Sequence, residues 1–130
     1  MATLFTKIIN GEIPCYKVAE NDRFLAFLDI RPLTGGHTLV VPKQENDYLF
    51  NLDDDTYAAM WMFAKRVAAA IEKTIPCKRI GVAVIGLEVP HAHIHLIPIN
   101  SEADMLFSKT RQQLSSDEMT DIAQRIAEAV

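Results

Sequence analysis

The run Pro90-His91-Ala92-His93-Ile94-His95-Leu96-Ile97-Pro98-Ile99 restricts what this chain can fold into more than any other segment. Histidine alternates with Ala92, Ile94 and Leu96. A period of two is that of a β-strand, whose side chains point to opposite faces in turn. The spacing therefore predicts one strand with three imidazoles on one face and apolar groups on the other. Imidazole is the side chain best suited to proton transfer near neutral pH. Three of them on one face make an active site or a metal site. The plain alternative is a strand whose polar face happens to be histidine. It is disfavoured because crowded imidazoles repel when protonated.

The chain has 130 residues, enough for one domain with its own core, and is read as a single domain over residues 1–130. Its formal charge of −4 argues against a general phosphate-backbone binder, so no nucleic-acid partner is expected. Cys15 and Cys77 form no C-x-x-C pair, and no apolar run approaches a membrane span. The first residues lack the apolar core of a signal peptide. A cytoplasmic protein with no membrane contact is the resulting expectation.

Turn and periodicity signals divide the rest. Phe5 to Ile9 reads as a short helix, ended by Asn10-Gly11 and Pro14. Tyr16 to Ala19 and Phe24 to Asp29 read as strands around an Asn21-Asp22 turn, and His37 to Val41 as a third strand after the loop Arg31–Gly36. Tyr57, Met60, Trp61, Ala64, Val67, Ala68 and Ile71 recur at helical spacing, behind Asp53, Asp54 and Asp55, and Pro76 ends that helix. Ile80 to Ile85 and His93 to Ile97 are the fourth and fifth strands. Ser115-Ser116-Asp117-Glu118 opens a last helix with Met119, Ile122, Ala123, Ile126 and Ala127 on its apolar face. Tight connections favour an antiparallel sheet with helices on one face, an α+β fold.

With these elements in place, His91-Ala92-His93-Ile94-His95-Leu96-Ile97 resembles the His-φ-His-φ-His-φ-φ motif of the histidine triad (HIT) superfamily. Three further segments match in order: Phe5–Pro14, Asp22–Ile30 and Gly36–Lys43. The nearest branch looks like the Hint-like nucleoside phosphoramidases. The resemblance implies a dimeric α+β domain with an antiparallel five-stranded sheet, a long helix and short terminal helices. It implies a purine nucleotide or nucleotide conjugate as ligand, chemistry at the α-phosphorus, and no metal or cofactor. By position, His93 matches the nucleophile, His91 and His95 its partners, and His37 the fourth histidine. Asp29 matches the residue that holds the ribose hydroxyls, and Leu4, Phe5, Ile8, Phe27 and Ile30 match the base slot. On residues alone, Asp29 reads as a turn residue and the apolar set as core.

The chain departs from that branch in places. Leu87 stands where a Gln is usual, Glu88 where a Ser or Thr is usual, and the strand before the triad lacks an Asn. The tail from Ser101 does not match the branch's short Trp-containing tail.

The chemistry suits such a set. A neutral imidazole can attack an anionic phosphate if its other nitrogen is held as a donor. A charged neighbouring imidazole is expected to assist the leaving group, with His95 facing the phosphate, His91 orienting the set and His37 completing the network. Dinucleoside polyphosphate hydrolysis, a non-catalytic nucleotide-binding module and a zinc site using the triad and His37 are the competing readings. Met60, Trp61 and Phe63 are expected to add a dimer face.

Overall fold

The structure, a computed structural model, describes residues 3–130. Its elements run α1 (Leu4–Ile9), β1 (Lys17–Glu20), β2 (Phe24–Leu28), β3 (Thr38–Pro42), α2 (Asp54–Thr74), β4 (Arg79–Ala83), β5 (Ile94–Ile99) and α3 (Ser116–Ala129). Single 3₁₀ turns lie at Leu49–Asn51 and Glu102–Met105. The strands form one antiparallel sheet in the order β1-β2-β3-β5-β4. This is the expected α+β fold.

Strand alternation sorts the sheet's two faces. Phe24, Ala26 and Leu28 of β2, Val40 of β3, and Ile94 and Leu96 of β5 pack with Met60, Phe63, Ala64, Val67 and Ile71 of α2 and Met119, Ala123 and Ile126 of α3. Leu25, Phe27, Leu39 and Val41 point the other way, against Phe5, Ile8 and Ile9 of α1. Helices thus flank both faces: α2 and α3 cover one, and α1 part of the other. Burying a large apolar side chain contributes roughly 1.5–3 kcal/mol, so the two-sided strands β2, β3 and β5 anchor the molecule.

The helix ends follow from capping. Asp53 accepts from the Thr56 N–H, and Asp54 and Asp55 sit in the first turn of α2. Ser115 and Glu118 exchange a reciprocal capping box at α3.

Several elements differ from the sequence reading. β2 stops at Leu28, because Asp29 turns the chain by accepting the Arg31 N–H at 2.8 Å. β3 starts after His37 and β5 after His93, so of the triad only His95 lies inside a strand. β4 ends at Ala83 rather than Ile85. Ala127 faces solvent, and Ala129 packs instead. Met60 and Phe63 are fully spent on the core, which removes them from any dimer face; Trp61 is half-buried.

Candidate active site

The four histidines gather on the sheet face opposite α2 and α3, at the junction of β3 and β5. Leu39 pairs with His95, which puts His95 on Leu39's side of the sheet. Gly36, at φ +97°, delivers His37 to the end of β3; a Cβ there would stand 3.0 Å from Ile75 and 3.2 Å from Pro98. All four rings are buried, His37 and His91 completely.

Backbone partners set the proton on each ring. A carbonyl accepts only, so the nitrogen facing it must carry hydrogen. His93 donates from Nδ1 to the His91 carbonyl at 2.7 Å. In the neutral ring this leaves Nε2 as a free lone pair. His91 donates from Nε2 to the Pro42 carbonyl at 2.8 Å, while its Nδ1 lies 3.0 Å from the Thr3 hydroxyl. The Leu33 N–H donates to Nδ1 of His37 at 3.0 Å, so His37 donates from Nε2 to Nδ1 of His95 at 2.9 Å. His95 in turn carries its hydrogen on Nε2. The triad is therefore three different imidazoles: an acceptor at His93, a donor at His95, and a clamped support at His91.

Burial favours the neutral form of His37, His93 and His95. It pushes His37 down to about 3, with His95 and Arg111 adding to the effect. It pushes His95 down to about 3 as well, helped by His93 and Arg111. Burial also lowers His93, against an upward pull from its bond to the His91 carbonyl and from Asp29 and Glu88. The charged neighbouring imidazole expected from the sequence is thus corrected: a buried ring beside other rings and a guanidinium resists protonation.

Asp29 is the turn residue that its position suggested, and its second oxygen lies beside the histidines. Oδ1 makes the turn with Arg31, and Oδ2 stands 3.7 Å from His37 Nε2 and 3.8 Å from Arg111 Nη1. Burial raises its pKa, while the Arg31 N–H and the Arg111 charge pull it down.

The apolar set divides. Phe5 and Phe27 are buried and meet edge to face at 5.6 Å, and Phe5 stands edge-on to His93 at 5.0 Å. They form a floor beneath the histidines. Leu4 and Ile30 are 49% and 72% exposed, and Ile8 is half-buried. A cavity of about 250 Å³ on the α1 side is lined by Ile8, Ile9, Ile13, Cys15, Lys17 and Leu25 among others, and by none of the four histidines.

The triad and His37 do not stand out as one ligand set among the described residues. Among the described residues, the donors that come together are Asp29, His37 and His95, within 4.8 Å of one another. Leu87 is 89% exposed and Glu88 is exposed.

Three contributors escaped the sequence reading. Thr3 caps α1 through its hydroxyl and meets His91; a hydroxyl before a helix signals the cap, but nothing local signals a partner 88 residues away. Phe107 stands edge-on to His95 at 4.9 Å, and Arg111 lies over Phe107 at 5.5 Å. Both lie in a stretch without periodicity.

A buried cluster of backbone-oriented histidines at the end of a five-stranded sheet defines the class, and comparison with known proteins agrees. The HIT domain model matches residues 10–102, and the chain belongs to the HIT family. An adenosine 5′-monophosphoramidase of Schizosaccharomyces pombe is 38% identical over 104 residues, covering 78% of this chain and 77% of the relative. The crystal structure of a HIT-like protein from Bartonella henselae, described as involved in cell-cycle regulation, superposes with a TM-score of 0.86 at 28% identity. It covers 98% of this chain and 96% of that one. A zinc-bound histidine triad family protein from Mycobacterium smegmatis gives 0.83 at 28% identity, covering 99% and 93%.

Proposed function

We propose that this protein hydrolyses or transfers the nucleotidyl group of purine nucleoside phosphoramidates through a covalent adduct on His93. The observation that carries this reading is the His93 Nδ1–H bond to the His91 carbonyl, which leaves Nε2 of the neutral ring with its lone pair. That lone pair attacks the α-phosphorus. The P–N bond breaks, and the leaving amine takes a proton from solvent. Water then cleaves the P–N bond to His93 and restores the lone pair. The Nε2–H of His95 donates to a phosphoryl oxygen, where charge builds in the transition state. Asp29 Oδ2 accepts from the ribose hydroxyls, and Leu4 and Ile30 flank the base above Phe5 and Phe27. The named activity of the fission-yeast relative supports the substrate class. A single turnover with α-labelled adenosine 5′-phosphoramidate tests it: label held on the protein at His93 supports the reading. Nucleotide binding without label transfer favours a non-catalytic module.

A metal reading has one observation of its own, the convergence of Asp29, His37 and His95. A cation there must break the 2.9 Å bond between the two rings and sit beside Arg111.

The protein is further proposed to be a homodimer. β4 is bonded to β5 alone, and Val82, Val84 and Ile85 at that edge are exposed. An uncovered apolar edge strand invites a second copy. Cys15 and Cys77 are free, which supports a reducing compartment, and no helix among the described residues is long and apolar enough to cross a membrane.

A further inference from the structure

A nucleotide is anionic, yet the histidine cluster offers it little positive charge. His37 and His95 are neutral across the physiological range, and the nearest acids, Asp29 and Glu88, add negative charge. Leu87, exposed ahead of the triad, brings no polar side chain. The tail supplies a cation. Its path is pinned on both sides. Asp104 accepts the N–H groups of Asn100 and Ser101, and Gln112 donates its N–H to the Pro32 carbonyl at 2.9 Å. Between these pins, Phe107 packs on His95, and Arg111 lies over Phe107.

The guanidinium is held but not consumed. Arg111 Nη1 donates to the Arg31 carbonyl at 2.6 Å, its one hydrogen bond among the described residues. Asp29 Oδ2, at 3.8 Å, is beyond hydrogen-bond reach, and the side chain is 22% exposed. The steps Arg111 to Asp29, Asp29 to His37 and His37 to His95 measure 3.8, 3.7 and 2.9 Å, so the charge borders the histidines. Two other cations lie nearby: Lys109 stands 3.7 Å from Asp104, and Arg31 is exposed, its charge also acting on Asp29.

We propose that Arg111 is a substrate-binding residue of this site, delivered by the tail to receive the negative charge of the nucleotide's phosphate. A planar guanidinium with unused donors suits phosphate oxygens, and Phe107 holds it in register. The inference rests on the reading of this face as a nucleotide site.

Calorimetry with AMP and with adenosine separates charge recognition from tail fastening. R111Q should weaken AMP binding about tenfold to a hundredfold and leave adenosine binding unchanged. R111K, which keeps the charge, should lose less than R111Q. Unchanged AMP affinity in R111Q overturns the proposal. Equal losses for AMP and adenosine also overturn it, because Arg111 then only secures the tail. Equal AMP losses in R111K and R111Q overturn the assignment to charge. Wild-type protein that binds neither compound refutes the nucleotide reading itself, and is seen before any variant is made.

Discussion

His37 Nε2 stands 2.9 Å from His95 Nδ1, and the Leu33 N–H on the far side of His37 sets which of the two donates. A main-chain amide thereby fixes the proton on His95 Nε2 through an intervening ring. His37→Phe should leave His95 free to exchange tautomers. A fall in kcat with KM nearly unchanged is expected, since the contact concerned strengthens in the transition state. Proton-coupled nitrogen NMR of His95 checks it directly: both tautomers should be seen in the variant and one in the wild type.

His93→Ala should abolish turnover of adenosine 5′-phosphoramidate, by several orders of magnitude, in a protein that still folds. His93 lies just before β5 and supports no strand pairing. Near wild-type turnover by the purified variant would remove the nucleophile assignment.

Asp29→Asn keeps an oxygen for the Arg31 N–H and removes the carboxylate charge, so turn and ligand roles separate. Ribonucleotide affinity should fall roughly tenfold and the gap to the 2′-deoxy analogue should narrow. If the variant retains the full ribose preference by calorimetry, Asp29 serves the turn alone.

Acid should destabilise the protein in a window set by the histidines. Unfolded imidazole titrates near 6.5, whereas folded His37 and His95 titrate near 3. Between those values the unfolded chain binds more protons, so stability falls as pH drops below 6.5 and is unaffected by these rings above it. Glu20, lowered to about 2 by Lys17 and Lys43, keeps its full contribution above its ordinary 4.5 and loses it only as pH falls from there towards 2. Urea midpoints at about pH 7.5 and about pH 5 should therefore differ, and His37→Phe should shrink the difference. Equal wild-type midpoints would contradict the buried neutral state.

Dimerisation through β4 predicts that Val82→Lys shifts the protein towards monomer in sedimentation at micromolar concentration. An unchanged dimer would place the interface elsewhere, and a wild-type monomer would end the proposal.

Particular residues show where sequence reading stopped. His93 and His95 were legible because a period of two and a proline at either end leave few alternatives to a strand and its entry. Met60 and Ile71 were legible through helical spacing, and Ser115 with Glu118 through a box of four consecutive positions. The distinct tasks of His91, His93 and His95 were not, since they depend on partners that the spacing does not name: Thr3 and Pro42 for His91, the His91 carbonyl for His93, and His37 for His95. The neutrality of His37 comes from enclosure, which no pattern of neighbours in sequence encodes. The end of β2 shifted by one residue because Asp29 diverts the chain with its own side chain.

The bond between Thr3 and His91, taken with the seat of Arg111 beside Asp29, has a consequence for biosynthesis. Near the start of the chain a hydroxyl waits for a ring 88 positions later, and the guanidinium is translated later still. A nascent chain halted after β5 holds every histidine and yet lacks the cation beside them. The histidine cluster is thus completed by residues far apart in sequence, and a chain opened between Phe107 and Arg111 should fold and bind AMP more weakly.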